Sequence, residues 1–600
     1  MAAKGAGFRE DDSWFSEAQL AKLTPADEAD TLHSPVPTQM VSNGEYMPYP
    51  QTEQQQHVEY RIKQLADHAS KKLGVSRRKF LASSGGMAAC FLAMNEVFGR
   101  FFDVRPIELF EPAAAAESGP PPNLFVLDDQ LHIVRNSRRN TGQGLRRIAQ
   151  GLTPNQANGQ ADELGRVNFP WNPALVGLPN VDENFQLIQV MKDLYLDSQM
   201  TVGVMSNNTS AAVPDQGTSR PPRTAVESEA GEFLSAPQTI AVRNWVNKLA
   251  GSTRMLGHGQ MYPGIPGSYP AGTNALSNLE YMQWQTDELK PDSWKGYTSA
   301  NSAKYDLDPQ SLMRRWRLDD HDVAYPMYQL LLDNRAMLKT HPGFFNVCIH
   351  KGLSTNALPS QPELGHPADI PAAARDWREL NFIMYHACIR PGFWVLNALN
   401  DVRSGRLRNS LNEVGIGVRE GVPDILWSTE FAITCAELRN VYAELGTTFA
   451  SSVITFPTVC AHLLGQFMKF MGDERIVFGS DSPWYGGPQW QIDALWRFEI
   501  PDDMRKQYGY PELTKAAKRK ILGLNSARLY KIPGASEPSP QGRYTPFPAD
   551  YASRVPDDLK TILEFPGFVA DNFSKARTIY QAWEGAEPRH TRFGWIRTRV

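Results

Sequence analysis

The feature that most constrains the fold is a regular alternation of two patterns between residues 120 and 532. Short apolar runs of the kind that form buried parallel strands alternate with segments whose apolar residues recur at helical spacing. This alternation predicts a parallel sheet with helical crossovers, either open or closed into a barrel. The predicted strands cover residues 124–127, 200–205, 255–258, 345–349, 381–385, 441–445 and 476–478.

Length and composition limit the class of protein. The 600 residues exceed one simple domain but fit one enlarged barrel with extensions. The formal net charge is −4, and no long basic block lies outside the N-terminal leader, so we do not expect nucleic acid as a partner. The five cysteines show no CxxC spacing and lie in the leader or beside apolar segments. They are predicted to be buried thiols without a structural disulfide.

The first 116 residues have the features of a leader. Residues 1–75 form a predicted polar extension, and residues 76–116 resemble a twin-arginine export signal. Arg77 and Arg78 precede a mildly apolar run, and Ala113–Ala116 provide a small-residue cleavage site. The alternative is an ordinary amphipathic helix with a chance arginine pair. The signal pattern predicts export by the twin-arginine machinery to a periplasmic or other extracytoplasmic location.

The last predicted strand lies in the sequence RIVFGSDSPW, from Arg475 to Trp484. Gly479 ends its apolar run, and Asp481 follows almost at once. A carboxylate at this position either caps the next helix or points into a site at the carboxyl end of the sheet. The sequence around Asp481 alone does not decide between the two.

Four histidines share the placement of Asp481. His132, His258, His350 and His386 all stand at or just beyond the end of a predicted strand. One histidine in such a place is usually a loop residue or a hydrogen-bonded core residue, but five positions from separate strands favour a common site. In a barrel they would converge at one mouth. Imidazole and carboxylate together suit zinc, iron or manganese.

Several segments resemble motifs of the amidohydrolase-related family, which includes enzymes similar to aminocarboxymuconate semialdehyde decarboxylase. The resemblance covers roughly residues 120–532. It implies a distorted (β/α)8 barrel of the TIM type, here with long loop insertions and an irregular C-terminal extension over residues 533–600. It also implies a divalent metal at the carboxyl ends of the strands. The similar segments are IHKG (Ile349–Gly352), MYHA (Met384–Ala387), NVYAELG (Asn440–Gly446), RIVFGSDSPW and ILGLNSARLYKI (Ile521–Ile532).

The resemblance also implies roles for individual residues. His132, His350 and Asp481 correspond to metal ligands, and His386 corresponds to the acid or base beside the metal. His386 and Asp481 are therefore the expected catalytic residues. The first histidine of the family's His-x-His motif is replaced here by Gln130.

The replacement at Gln130 weakens the expected metal site. An amide oxygen is a poorer ligand than imidazole. We expect zinc, with manganese or iron as alternatives, to be weakly held, differently ligated or absent. Asp128 and Asp129 lie close enough in the sequence to act as substitutes.

Two further residues are predicted to bind the substrate. His258 resembles a substrate-contacting position of the family. Arg254 is a candidate cation for an anionic substrate, as are Lys290, Lys295 and Lys351. An ordinary surface charge is the alternative for each of these four cations.

The sequence therefore predicts an exported metal-dependent hydrolase that activates water to cleave a C–N or C–O bond of a small organic molecule. The first alternative is a non-oxidative decarboxylase of an aromatic or unsaturated carboxylate. The second is a metal-free barrel that binds a ligand without turnover, which Gln130 favours. The substrate and the oligomeric state stay open, a homo-oligomer included.

Overall fold

The computed structural model describes residues 34–43, 51–134, 185, 187–207, 234, 236–250, 252–261, 278–298, 316–353, 362–389 and 417–532. The sequence also contains a long polar insertion at residues 135–184. This insertion and the predicted C-terminal extension at residues 533–600 lie outside the described ranges.

Eight parallel strands form the centre of the fold. The strands in the described ranges are β1 Leu127–Leu131, β2 Val202–Met205, β3 Met255–Gln260, β4 Ser293–Tyr297, β5 Asn346–His350, β6 Asn381–Tyr385, β7 Val418–Arg419, β8 Val422–Pro423, β9 Val441–Glu444 and β10 Ile476–Val477. The sheet order is β1-β2-β3-β4-β5-β6-β9-β10, and β7 and β8 form a separate antiparallel hairpin.

The sheet closes into a barrel between β1 and the segment after β10. The backbone N–H of Asp129 donates to the carbonyl oxygen of Phe478 at 2.9 Å, and that of His132 donates to Ser482 at 2.7 Å. Leu131 and Ser482 also form a parallel bridge. The predicted α/β fold, a TIM-type barrel, is therefore confirmed.

Helices connect most of the strands and cover the outside of the barrel. In chain order they are α1 Glu53–Leu73, α2 Arg77–Leu81, α3 Ser84–Phe98, α4 Pro112–Ser118, α5 Leu187–Met191, α6 Ala236–Ala250, α7 Asn278–Trp284, α8 Ala324–Asp333, α9 Pro362–Gly365, α10 Ile370–Asp376, α11 Trp427–Thr434, α12 Gly446–Thr455, α13 Pro457–Phe470, α14 Gln489–Arg497, α15 Asp502–Tyr508, α16 Lys515–Arg519 and α17 Asn525–Leu529. π-helical turns extend α5, α7 and α16 at Lys192–Leu196, Gln285–Leu289 and Lys520–Leu524.

The two-residue period of the strands separates the helix-facing core from the barrel interior. In β5, Val347 and Ile349 belong to the large apolar core that includes the helices, whereas Cys348 packs with the side chains inside the barrel. In β6, Phe382 faces the helices and Tyr385 faces the interior in the same way. Polar residues at inward positions near the strand ends are thereby directed towards the mouth.

The sequence-based prediction misplaced β1 and missed β4. The first strand is β1, Leu127–Leu131, and not residues 124–127, because three of its five residues are buried polar side chains instead of an apolar run. The strand β4 carries Lys295 between the buried aromatic residues Trp294 and Tyr297, so it does not read as a continuous apolar run.

The position of His258 is a third difference. The third strand does not end at His258, because β3 continues to Gln260 and places the imidazole inside the barrel wall. His258 is fully buried there.

The leader-like segment packs against the barrel. Phe91 of α3 stacks on Phe102 with a centroid distance of 4.6 Å, and Phe102 contacts Phe498 edge to face. A buried ion pair of 2.8 Å joins Arg497 to Glu108. Export through this segment stays a prediction. Within the described ranges, no helix is both long and apolar enough to cross a membrane.

The cysteines are consistent with their sequence context. Cys90, Cys348, Cys388, Cys435 and Cys460 are all buried free thiols. Burial raises the pKa of Cys348 to about 12, so this thiol stays protonated at neutral pH.

Candidate active site

Side chains from four strand ends meet at the mouth of the barrel. Gln130 lies in β1 and His132 follows it, while His350 is the last residue of β5. His386 follows β6, and Asp481 stands shortly after β10. All five side chains are buried. The structure thus brings together the four residues predicted as ligands or catalysts and adds Gln130 to them.

His132 presents one nitrogen to the site. Its Nδ1 lies 3.0 Å from the carbonyl oxygen of Ser206, and this contact requires a proton on Nδ1. Its Nε2 then carries a lone pair and lies 3.2 Å from Oδ1 of Asp481. Burial lowers the pKa of His132, which favours the neutral ring although Asp481 opposes the shift. Two electron-rich atoms therefore face each other, and a cation or a hydrogen-bond donor between them is stabilising.

The amide of Gln130 provides such a donor. Its Nε2 donates to Oδ1 of Asp481 at 2.9 Å and lies 3.2 Å from Nε2 of His132. The two amide hydrogens can serve both acceptors at once. Among the described residues, Oε1 of Gln130 is buried without a hydrogen-bond partner. The amide group therefore satisfies the acceptors of the site while leaving its own oxygen unsatisfied.

His386 and His350 form a second pair beside this centre. Nδ1 of His386 accepts from the backbone N–H of Thr447 at 3.2 Å, which places the ring proton on Nε2. This Nε2 lies 3.1 Å from Nδ1 of His350, and Nε2 of His350 contacts the carbonyl oxygen of Leu353. His386 is thus a neutral N–H donor, because burial lowers its pKa well below the ordinary value. His350 would have to leave this hydrogen-bond chain to bind a metal, and its role as a ligand stays a prediction.

The second oxygen of Asp481 is held by a hydroxyl that the sequence did not reveal. Thr447, at the start of α12, donates from Oγ1 to Oδ2 of Asp481 at 2.8 Å. Tyr485 in turn donates its phenolic hydrogen to Oγ1 of Thr447 at 2.9 Å. Asp481 is therefore fixed on both oxygens and does not cap a helix.

Two of the site residues have backbone conformations that side chains rarely adopt. His386 has a φ of 63° and Asp481 a φ of 55°, both in the left-handed region. Gly446 allows the sharp turn at His386, because a Cβ there would lie 2.7 Å from Nδ1 of that ring. Glu444 supports the same turn by accepting the backbone N–H of His386 at 2.9 Å. The fold thus holds both side chains in positions that a regular strand end would not give.

Glu444 adds a carboxyl group beneath His386. It ends β9 and is fully buried. Burial raises its pKa well above the ordinary value, with Asp481 contributing in the same direction, so the protonated form is favoured. The strand-end rule applied to the histidines also finds Glu444, since it closes the apolar run VYAE.

Asp128 and Asp129 do not substitute for the missing histidine. Oδ1 of Asp128 accepts the backbone N–H of Ser480 at 2.8 Å and so helps to close the barrel. Oδ2 of Asp129 accepts the hydroxyl of Ser526. Burial raises the pKa of Asp128 to about 7 and that of Asp129 to about 8. Both carboxyls are structural parts of the barrel wall.

Lys295 brings a cation into the barrel interior. Its side chain is fully buried on β4, and its Nζ lies 3.5 Å from the ring centroid of Tyr385 and 4.8 Å from that of Tyr297. Aromatic faces attract an ammonium group and hold it in a partly desolvated place. Its charge lowers the pKa of both His132 and His386, after the larger effect of burial. Lys295 is therefore a predicted cation whose charge acts on the site histidines.

The two predicted substrate-binding residues lie elsewhere. Nε2 of His258 is 2.8 Å from the hydroxyl of Tyr385, and its Nδ1 is 2.7 Å from Oγ of Ser293, so both ring nitrogens are bonded inside the barrel. Arg254 precedes β3 at the amino end of the strand and donates to the carbonyl oxygen of Thr201 at 2.6 Å. The mouth is at the opposite end. Neither placement supports substrate binding, which stays a prediction for both.

The fit of a divalent metal depends on Gln130. Within the described ranges, no three His, Cys, Asp or Glu side chains are grouped so that they could hold a metal ion. The terminal amide of Gln130, Nε2 of His132 and Oδ1 of Asp481 are however 2.9–3.2 Å apart. Ligands on one face of an octahedron are separated by about 3 Å when each lies about 2.1 Å from the metal. Rotating the Gln130 amide by half a turn would place its unsatisfied Oε1 where Nε2 now lies. The three residues would then offer a cation one nitrogen, from His132, and two oxygens, from Gln130 and Asp481.

Comparison with known proteins gives one family match. The amidohydrolase family model Amidohydro_2 matches residues 420–532. This segment contains Glu444, Thr447 and Asp481. No curated protein matches the sequence.

Several solved structures are similar at low identity. They include an uncharacterized TIM-barrel protein from Bordetella bronchiseptica (14% identity, TM-score 0.35, 68% of this chain and 98% of that chain). A manganese-bound 5-carboxyvanillate decarboxylase from Novosphingobium aromaticivorans has 12% identity and a TM-score of 0.35, over 69% and 99% of the two chains. A manganese-bound dihydroxybenzoic acid decarboxylase from Polaromonas sp. JS666 has 11% identity and a TM-score of 0.33, over 68% and 97%. The assignment of the barrel rests on its own strand order and closure.

Proposed function

We propose that this protein is a divalent-metal-dependent enzyme of the amidohydrolase type that cleaves a C–N or C–O bond of a small organic molecule by hydrolysis. The match of the Amidohydro_2 family model to residues 420–532 supports this class. One observation carries the proposal. Gln130, His132 and Asp481 each contribute one polar atom, these three atoms are 2.9–3.2 Å from one another, and the N–H donor of His386 lies directly beside them.

In this proposal Gln130, His132 and Asp481 hold the metal. When bound, a divalent cation supplies Lewis-acid polarisation of a substrate oxygen and increases the acidity of water. The hydrogen bond from His132 to the carbonyl of Ser206 keeps its Nε2 directed at the site, as the outer partners of ligating histidines commonly do. The bond from Thr447 does the same for Asp481.

Proton movement falls to the side chains around that centre. Asp481 is the acceptor for the proton of an attacking water, because its Oδ1 faces the site. The leaving nitrogen or oxygen takes the proton that Asp481 has accepted from the water. His386 stabilises the leaving group with a hydrogen bond from its Nε2–H, because its neutral ring carries hydrogen on that atom. Thr447 and Glu444 keep the His386 ring and backbone in place for this hydrogen bond.

Decarboxylation is the second candidate, and Lys295 is the observation that favours it. A buried ammonium beside two tyrosine rings suits the carboxylate of an aromatic or unsaturated acid. In that reaction the C–C bond to the carboxylate breaks, CO₂ leaves, and the carbon takes a proton that Asp481 has received from water, which becomes hydroxide. A substrate panel distinguishes the two candidates. Release of CO₂ without fragment hydrolysis supports the decarboxylase, and cleaved fragments without CO₂ support the hydrolase.

Substitution of Lys295 tests whether the substrate is an anion. We expect Lys295→Met to raise KM for a carboxylate substrate by roughly 10- to 100-fold, the value of one hydrogen bond to a charged group. The KM for the matched uncharged amide should change less than about twofold, since methionine preserves the volume of the lysine stem. Steady-state kinetics on both compounds measures the difference. Equal changes for the two compounds would rule out Lys295 as the carboxylate-binding cation.

A further inference from the structure

A segment from the N-terminal region reaches the site. Residues 34–43 are largely buried, and Asn43 is the last of them that the structure describes. Nδ2 of Asn43 lies 3.3 Å from Oδ2 of Asp481 and 3.3 Å from Oγ1 of Thr447. Asn43 is thus separated from Asp481 by 438 positions in the sequence and is in hydrogen-bond contact with it.

The segment is tied to the leader-like helices as well as to the barrel. Oγ of Ser34 contacts Sγ of Cys90 in α3 at 3.3 Å, and Thr38 donates to Glu59 in α1 at 3.2 Å. Gln55 of α1 then reaches Thr455 at the end of α12, the helix that begins beside Thr447. These contacts anchor the backbone that carries Asn43.

Asn43 adds a second donor at Oδ2 of Asp481. Its Nδ2 lies 3.3 Å from Oδ2 of Asp481 and 3.3 Å from Oγ1 of Thr447, and these two oxygens are themselves 2.8 Å apart. The Thr447 oxygen accepts from Tyr485 while its own hydrogen goes to Asp481. The carboxylate therefore cannot rotate without breaking its contacts with both Thr447 and Asn43 at Oδ2.

We propose that Asn43 is a positioning residue of the site and that the N-terminal segment at residues 34–43 is a working part of it. Asn43 keeps Oδ2 of Asp481 engaged, so that Oδ1 faces His132 and Gln130. This inference rests on the proposed function, in which those three side chains hold the metal. Proteolytic loss of Asn43 would consequently weaken the site.

The test compares shape-preserving variants of the full-length protein. Asn43→Leu fills the same space without donors, and the matched control Asn334→Leu makes the same change where the amide bonds Gln283 and the carbonyl of Leu330, away from the site. Calorimetric titration with Mn²⁺ should show affinity reduced roughly 10- to 100-fold in Asn43→Leu, as for other outer partners of metal ligands. Asn334→Leu should stay within about twofold of the parent protein. Equal Mn²⁺ affinity in Asn43→Leu and the parent overturns the inference. Tighter Mn²⁺ binding in Asn43→Leu overturns it as well, because the segment would then block the metal site instead of supporting it.

A second measurement is independent of the metal. In the presence of a chelator, Tm is recorded for Asn43→Leu, Asp481→Ala and the double variant. If Asn43 bonds to Asp481, the double variant should lose less than the sum of the two single losses. Additive losses overturn the contact. A parent protein that binds no Mn²⁺ while the cycle is non-additive contradicts the proposed function and leaves the positioning role of Asn43 supported.

Discussion

Asp481→Asn should reduce kcat/KM by roughly 10³-fold or more, because it removes both a metal ligand and the acceptor of the water proton. Asparagine keeps the shape of the side chain but loses the negative charge next to His132 and Gln130. Metal affinity should fall by at least the roughly 10- to 100-fold that loss of an outer partner costs. Activity assays and metal titration on the same preparation measure the two effects.

The matched control is Asp493→Asn, which changes another aspartate in the neighbouring helix α14. Asp493 accepts a hydrogen bond from Gln489 at 2.8 Å, within its own helix. This variant should keep its activity and its metal. The Tm of Asp481→Asn should stay within roughly 5 °C of the parent value, since the substitution preserves volume. Full turnover in Asp481→Asn would show that the assignment of Asp481 is wrong.

His386→Phe should lower kcat by roughly 10²- to 10³-fold, the usual cost of removing one positioned hydrogen-bond donor to the charge that develops on the leaving group. Metal content should remain close to that of the parent, because His386 donates to His350 and does not belong to the three-atom face of the metal site. Phenylalanine keeps a planar ring but has no hydrogen to donate. Turnover and metal content together separate a hydrogen-bond donor from a ligand.

Two histidine variants complete that experiment. His462→Gln alters a buried histidine whose Nδ1 lies 2.9 Å from the hydroxyl of Tyr510, outside the mouth, and it should leave turnover unchanged. His350→Gln should lower metal content together with activity if the predicted ligand role of His350 holds. Loss of metal in His386→Phe would instead make His386 a ligand and contradict its role as a hydrogen-bond donor.

The barrel could be predicted because its signal is local. Strands such as β5 and β6 are short apolar runs, and their alternation with helices is visible in the sequence alone. The strand β4 was missed because Ser293 and Lys295 face the barrel interior, where polar side chains are tolerated. The apolar-run criterion recognises strands packed on both faces and fails where one face forms a polar interior.

The site could be predicted in part for a similar reason. The strand-end rule correctly gathered His132, His350, His386 and Asp481 at one mouth. It could also have found Glu444, and it gives a reason to doubt Arg254, which stands before a strand instead of after it.

The remaining site contacts join distant segments and leave no pattern in a single sequence. The carbonyl of Ser206 bonds His132 across 74 positions, and Thr447 bonds Asp481 across 34. Asn43 contacts Asp481 across 438 positions. Such contacts follow from the closure of the barrel and from the packing of the N-terminal segment, and both depend on the complete fold. The reorientable amide of Gln130 likewise becomes evident only when its neighbours are in place.

Metal content is the most direct test of the central claim that Gln130, His132 and Asp481 form a working metal site. The full-length protein is purified without chelator, equilibrated with equimolar zinc or manganese, desalted and analysed by elemental mass spectrometry. The account predicts close to one equivalent of bound metal, together with its loss in Asp481→Asn. Less than about a tenth of an equivalent in the parent protein would contradict the claim, because Gln130, His132 and Asp481 would then not act as the three protein ligands that a catalytic metal site uses.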